Sequence, residues 1–330
     1  MKHSDRPRVL ITGGSGFIGT NAVRHWRDLG YEVLSIDIRQ PRDPAHTNCW
    51  VQCDITDITR MRTEFRTFDP HYLLHLAART DLDEKHSLDG YAVNIEGVRN
   101  VVEVAAASPH LRCAIFASSR MVCRIGYRPH HDGDYDPPNL YGESKVRGEQ
   151  IVRDARLQCK SVLVRPASIW GPWFDVPYRI FFDLVGQGRY VNPAGLNPVK
   201  SFGFVGNTID QLHKILEASP ELVNGKTIYL CDYPPLRVRE WAELIRRALR
   251  APRVRSVPLG LLRAAALAGD VLDKVGLYHV PLTTFRLNNL ITDMTFDTGL
   301  LERICGPQRY SLAEGVRLTA EWMLRQPSPH

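Results

Sequence analysis

Among the residues of this chain able to move a proton, Tyr141 and Lys145 stand out by their spacing. They lie four apart in Tyr141-Gly142-Glu143-Ser144-Lys145, which follows the turn-forming Pro137-Pro138-Asn139 and opens a helix, so the two side chains share one helix face. A phenol ordinarily titrates near about pH 10, too high for a base at neutral pH. A lysine ammonium one turn away favours the phenolate and brings it into a useful range. Ser119, just past the apolar strand run Arg112 to Ala117, can share a hydrogen bond with the same substrate oxygen. On its own the Tyr/Lys spacing describes a solvated surface pair better than a catalytic one, and what reverses that preference lies upstream.

The upstream feature is Thr12-Gly13-Gly14-Ser15-Gly16-Phe17-Ile18-Gly19, set between the apolar run Val9-Leu10-Ile11 and an amphipathic segment. That is a strand turning into a helix, where exposed N–H groups face an anion. Gly13 permits the tight turn, Gly16 lets a pyrophosphate approach the backbone, and Gly19 lets the helix pack against the strand. A second strand, Glu32 to Ile36, ends in Asp37, about twenty residues after the loop, where a carboxylate can accept from a ribose diol. Together these predict a bound dinucleotide, and a positive nicotinamide ring beside Tyr141 would favour the phenolate further. Asp37 favours NAD over NADP by repelling a 2′-phosphate, while Arg39 keeps NADP open.

Strand and helix signals alternate through the first half, the pattern of a parallel sheet with helices on both faces. A third strand ends at Cys53, after which Asp54 and Ile55 border the expected cofactor groove. Asp54 suits either the adenine amino group or the start of the helix near Asp57. The fourth strand, His71 to Leu76, closes with Ala77-Ala78, whose small side chains let the backbone pass close to a ligand. Asn94, in the helical stretch from Tyr91 to Ala107, is either a hydrogen bonder to the cofactor or a helix-packing amide. Farther on, periodicity predicts helices within Trp173 to Tyr190, over Asn207 to Leu216, and over Leu236 to Leu249 with Trp241, Leu244 and Ile245 inward. Lys226 to Leu230 reads as a strand returning to the sheet, and Leu261 to Leu272 as an apolar helix.

Composition bounds the alternatives. The 330 residues suffice for one large or two modest domains, and the net charge of +6 comes from basic residues scattered along the chain, which predicts no nucleic-acid partner. Seven cysteines without a CxxC pair predict neither a disulfide framework nor a metal site, and fit a reducing cytoplasm. No signal core or membrane-spanning run is expected, because Arg263 and Asp270 interrupt the longest apolar stretch.

The motifs together resemble the extended short-chain dehydrogenase/reductases, specifically the NAD-dependent epimerase/dehydratase family, which acts mostly on nucleotide sugars. The resemblance runs the length of the chain: TGGSGFIG at 12 to 19, HLAA at 75 to 78, VNIEGV at 93 to 98, FASS at 116 to 119, YGESK at 141 to 145 and VRPASIWGP at 164 to 172. It implies a Rossmann-like doubly wound α/β fold with a smaller, discontinuous substrate domain: residues 1–170 with about 202–232 for the cofactor, 171–201 and 233–330 for the substrate. It implies Ser119, Tyr141 and Lys145 as catalytic residues. The cofactor would meet Gly13, Gly16, Phe17, Ile18, Gly19, Asp37, Asp54, Ile55, Leu76, Ala77, Ala78, Asn94, Tyr141, Lys145 and Pro166, with Arg165-Pro166 following the sixth strand. The substrate, a nucleotide diphosphate sugar, would meet Ser119, Ser168, Asn192, Lys200 and Arg286. A homodimer is also implied.

The departures are informative. Cys123 and Arg124 replace the family's usual Tyr-Gly, and Ser168 stands where many nucleotide-sugar epimerases have asparagine. Lys200 and Arg286 stand for the family's two phosphate-binding arginines. Arg120-Met121 occupies the place where 4,6-dehydratases carry an Asp-Glu pair, so elimination of water is not expected. The expectation is an NAD-dependent epimerase; the alternative is an NAD(P)-dependent reductase or dehydrogenase of a sugar ketone or 3β-hydroxysteroid-like alcohol. A non-catalytic dinucleotide sensor would have no use for Ser119, Tyr141 and Lys145 together.

Overall fold

The computed structural model describes residues 6–175, 178–274 and 282–326. Its frame is a seven-stranded, wholly parallel sheet made of β1 (Arg8–Thr12), β2 (Glu32–Asp37), β3 (Trp50–Gln52), β4 (Tyr72–His75), β5 (Cys113–Ala117), β6 (Lys160–Pro166) and, far along the chain, β11 (Thr227–Leu230). The order is β11-β6-β5-β4-β1-β2-β3, with parallel register throughout. This is the doubly wound α/β arrangement that the alternating pattern predicts. The order reverses between β1 and β4, and the carboxyl ends of those strands, Gly13 on one side and Leu76 on the other, open the crevice where such sheets place ligands.

Burial on both faces explains why the strands read as continuous apolar runs. All five residues of β1 are buried. Val9 and Ile11 face one side with Trp26 of α1 (Phe17–Asp28) and Ile209 and Leu212 of α6 (Val205–Glu217). Leu10 faces the other with Met61 and Phe65 of α2 (Ile58–Phe68) and Val98 and Val101 of α3 (Ala92–Ala106). Against α3 lies α4 (Leu140–Asp154).

The remaining elements form small pairings around the open end of this sheet. Strand β7 (Ser168–Trp170) runs parallel to β10 (Phe202–Phe204), β8 (Val191–Pro193) to β13 (Arg255–Val257), and β9 (Val199–Lys200) antiparallel to β12 (Leu236–Arg237). Between them lie α5 (Tyr178–Gly186), the short α7 (Pro220–Val223), α8 (Val238–Ala248), α9 (Leu259–Lys274), α10 (Thr284–Ile291), α11 (Gly299–Cys305) and α12 (Leu312–Arg325). An aromatic cluster binds this part: Trp170, Phe182 and Phe202 surround Trp241, and Phe181 stacks on Trp241 at 4.5 Å and 8°.

The helix within Trp173 to Tyr190 is α5, with turns on either side. Two elements differ from their sequence reading. The helix expected from Leu236 begins at Val238, because Leu236 and Arg237 pair in a ladder with Lys200 and Val199. Arg165 and Pro166 lie inside β6, paired with Tyr229 and Leu230, and do not follow it. The arginine-rich face of α8 is a surface network: Arg246 and Arg247 both donate to Glu243.

Candidate active site

The glycine loop is built by contacts that exclude a side chain. Gly13 holds φ +75°, and a Cβ there would sit 2.6 Å from the Ala77 nitrogen. On Gly19 a Cβ would lie 2.1 Å from the Gly13 carbonyl oxygen. Gly16 differs, since its nearest such contact is 3.2 Å, so its missing side chain matters on the open side of the loop. It is also the N-cap of α1, which has no side-chain cap and no acid in its first turn. A twelve-residue helix with uncapped N–H groups behind a bare glycine is a fitting seat for a diphosphate. Phe17 and Ile18 are half-buried and pack on the core behind it.

Asp37 ends β2 and is 8% exposed; Oδ2 accepts from Ser15 N at 3.0 Å and Oδ1 from Arg39 N at 3.0 Å. Both carboxylate oxygens retain a lone pair, so the aspartate is locked in place and still able to accept from a diol. Asp54 is exposed and closes a turn by accepting from Thr56 N and Thr56 Oγ1, both at 2.8 Å, while Asp57 is the N-cap of α2. Ile55 is buried, its carbonyl accepting from Asn100. Leu76 N donates to the Thr12 carbonyl, which ties β4 to β1 next to Ala77, and Ala78 follows half-buried. The Asn94 amide is 1% exposed. Its Oδ1 accepts from Arg79 N, and its Nδ2 donates to the Arg79 carbonyl and to Ser144 Oγ, each at 2.9 Å. It therefore clamps the segment after β4 to α4.

The catalytic candidates meet because α4 starts against the turn after β5. Asn139 caps α4, accepting from Gly142 N at 2.9 Å. A Cβ on Gly142 would lie 2.3 Å from the Met121 carbonyl, so only glycine lets the helix approach the 3-10 turn Arg120–Val122 this closely. Ser119 caps that turn, its Oγ accepting from Met121 N at 3.1 Å. Tyr141 and Ser119 are each 8% exposed. Burial pushes the Tyr141 phenol up to about 12; hydrogen bonding with Ser119 and the positive charge of Arg120 act against it. The expectation that Lys145 is the phenol's chief electrostatic partner is thus refined: in this arrangement Lys145 Nζ donates to the Ala117 carbonyl at 2.7 Å.

Lys145 is itself buried, which lowers it to about 8, with the Glu149 carboxylate opposing. Glu149 receives Arg165 in a two-pronged pair, Nε to Oε1 and Nη2 to Oε2, both 2.8 Å, with neither side chain exposed. Tyr135 Oη donates to Glu149 at 2.9 Å. The motif reading passes over Glu149, although its position four residues after Lys145 places it on the same helix face. Arg165 carries no such signal, since its partner lies sixteen residues back.

On the substrate side, Tyr178 Oη donates to Ser168 Oγ at 2.8 Å, and Tyr178 also acts on Tyr141, so Ser168 sits one residue removed from the phenol. Lys200 is 2% exposed, and its ammonium donates to the Asn289 carbonyl at 2.6 Å and to the Thr292 carbonyl. Burial lowers it to about 8, with Arg120 adding to the effect and Asp293 opposing it. Arg120 is thus felt at both Tyr141 and Lys200. Asn192 is 7% exposed on β8. Arg286 is exposed in the first turn of α10, and nothing in the geometry ties it to Tyr141.

A profile of the NAD dependent epimerase/dehydratase family matches residues 9–231. A 3-beta-hydroxysteroid dehydrogenase of Mycolicibacterium neoaurum is 31% identical over 263 residues, 72% of this chain and 69% of that protein. The N-acetyl-alpha-D-glucosaminyl-diphospho-ditrans,octacis-undecaprenol 4-epimerase of Escherichia coli O157:H7 is 25% identical over 325 residues, 95% and 94% of the two chains. In fold, the UDP-glucose 4-epimerase of Thermotoga maritima superposes with a TM-score of 0.74 at 19% identity, covering 96% of this chain and 99% of that one.

Proposed function

The chain belongs to the NAD-dependent epimerase/dehydratase family, and from that premise we propose that it epimerises a nucleotide-linked sugar through transient oxidation at one carbon. The observation that carries this reading is the turn Arg120–Val122, which follows Ser119 and packs against the start of α4 at Gly142, one residue after Tyr141. It holds Arg120 and Met121 where 4,6-dehydratases carry an acid pair. Without that acid pair, elimination of water loses its proton carrier, which favours oxidation and re-reduction.

Tyr141 takes the alcohol proton and later returns it, while Ser119 holds the same oxygen by a hydrogen bond. Bound NAD would supply the acceptor and donor of the hydride that leaves and returns to the carbon bearing that oxygen. Lys145 presents the rest of its ammonium, beyond the bond to Ala117, to the cofactor ribose, and Asp37 receives the distal ribose diol. Gly13, Gly16 and Gly19 shape the diphosphate seat beside Leu76, Ala77 and Ala78, and Pro166 borders the nicotinamide. Ser168, Asn192, Lys200 and Arg286 face the sugar nucleotide. The seam between residues 1–170 with 202–232 and the remainder is where the two ligands meet.

A second reading keeps these residues and makes the product a free ketone, with cofactor exchanged at each turnover; the steroid dehydrogenase relative favours it. Purified protein separates the two. The epimerase carries tightly held NAD and interconverts UDP-hexoses without net change in absorbance at the wavelength of NADH. A chain that is isolated empty and makes NADH in proportion to an oxidised 3β-hydroxysteroid would replace the first reading with the second.

A further inference from the structure

Helix α9 buries a narrow stripe and leaves a longer apolar stripe exposed. Leu262 and Ala266 are buried with Leu287 of α10, and Gly269 is buried beside them. Outward stand Leu261, Leu267 and Val271, each more than 60% exposed, with Leu272 at 44%, and Phe285 of the adjacent α10 is 58% exposed. Exposed leucines scattered singly need no explanation. Here five of the nine large hydrophobic side chains exposed among the described residues gather on two packed helices. Ala264, Ala265 and Ala268 are exposed between them and make the stripe continuous. Among the described side chains of α9, the exposed charges are Arg263 and Asp273.

The charge around this stripe identifies what covers it. Residues 250–292 hold six Arg or Lys against two Asp, so 43 residues supply four of the chain's six net positive charges. Arg253, Arg255 and Arg263 are exposed. Two copies meeting through this face would bring like charges together. An anionic surface with an apolar interior meets both demands at once. Sixteen residues of helix fall short of the roughly twenty needed to span a bilayer, and no helix among the described residues is long and apolar enough to cross one.

We propose that the outer face of α9, with Phe285, docks the chain on an anionic lipid bilayer, lying flat with its apolar side chains at the acyl boundary and its arginines among the headgroups. Lys200, proposed above to meet the substrate, holds the carboxyl end of α10 by the Asn289 and Thr292 carbonyls. A docked enzyme therefore has its substrate-side wall at the membrane, a placement that suits an amphiphilic substrate. The docking itself does not rest on the epimerase reading.

The test is co-sedimentation of the full chain with vesicles of phosphatidylcholine alone or mixed with phosphatidylglycerol. Binding to the mixed vesicles, weakened by salt and absent from the neutral ones, is the expected result. Leu267→Gln with Val271→Gln should cut vesicle affinity roughly tenfold or more. Arg255→Gln and Arg263→Gln should each cost about fivefold on anionic vesicles only. All three variants should retain NAD binding, which shows that they fold. No partition of the wild-type chain, or partition indifferent to these substitutions, would overturn the proposal. So would a dimer in sedimentation velocity that Leu267→Gln with Val271→Gln dissociates, since it assigns the face to a second copy. Vesicle binding by a chain that leaves every UDP-hexose unchanged would count against the epimerase alone.

Discussion

Two lysines in this protein are buried to nearly the same degree, lowered to about 8 by the same cause and bonded to backbone carbonyls, yet they stand for two different kinds of site. Lys145 gives one hydrogen bond, to Ala117, and has Glu149 beneath it as a counter-charge on the same helix face. Lys200 gives two, to Asn289 and Thr292, and its neighbour Arg120 is a like charge. An ammonium has three donors. Lys145, proposed to meet the cofactor, keeps two for a ligand, and Lys200, proposed to meet the substrate, keeps one. Burial of a cation is therefore no measure of its role; what matters is how many of its donors the fold has already taken.

The largest expected effect tests the cofactor side. Tyr141→Phe should lower turnover by about 10²–10⁴-fold, because the phenyl ring preserves volume and removes the group that takes the alcohol proton. The melting temperature and NAD affinity should stay near wild type. A near-native rate would place the base elsewhere and dissolve the contrast between the two lysines.

Next comes the support beneath Lys145. Glu149→Gln leaves the buried Arg165 guanidinium without its carboxylate, and breaking a buried pair in this way costs about 3–5 kcal/mol. Urea denaturation should show that loss. A stability change within about 0.5 kcal/mol would mean that water or Tyr229 already compensates the arginine.

Lys200→Met sharpens the comparison from the other side. The Asn289 and Thr292 carbonyls lose their donor, two bonds of about 0.5–1.5 kcal/mol each, so unfolding free energy should fall by about 1–3 kcal/mol. A rise in the Michaelis constant for the sugar nucleotide, with stability unchanged, would show instead that the remaining donor does the main work and that Lys200 resembles Lys145 after all.

The smallest effect is in pH. A lysine whose folded pKa is lowered binds fewer protons folded than unfolded between about 8 and its ordinary value near 10.5, so stability rises with pH through that window and the cost of burial is fully present below it. Wild type should gain about 1 kcal/mol more than Lys200→Met between pH 8 and about pH 9. Parallel stability curves for the two proteins would contradict the burial cost assigned to this lysine.

How far these sites can be read from sequence depends on the distance over which each is built. Gly13, Gly16 and Gly19, the acid after β2 and the Tyr141/Lys145 spacing are local, and the chemistry of short stretches exposes them. The parallel sheet is legible for a related reason, since burial on both faces leaves runs such as Val9-Leu10-Ile11 wholly apolar. Asp54 stayed ambiguous because a turn and a ligand ask the same of a carboxylate; the structure shows it closing a turn while Asp57 caps α2. Asn94 was ambiguous too, and its amide proves to be engaged by Arg79 and Ser144. The carbonyls that engage Lys200 lie 89 and 92 residues on, beyond any local pattern. The outward stance of α9 was illegible for another reason: periodicity finds a stripe of leucines but does not say which side of the helix meets the core.

The position of β11 has a consequence for how the protein is made. Lys160–Pro166 has β5 on one side and β11 on the other, and β11 ends 64 residues later, at Leu230. At a synthesis rate of about 5–20 residues per second, β6 waits on the order of several seconds with one edge of unpaired backbone groups. An apolar strand with an open edge is a template for pairing with another chain. Crowded ribosomes translating this message thus hold the growing chain at its stickiest just before the last strand arrives, and slow codons between residues 166 and 230 would lengthen that interval.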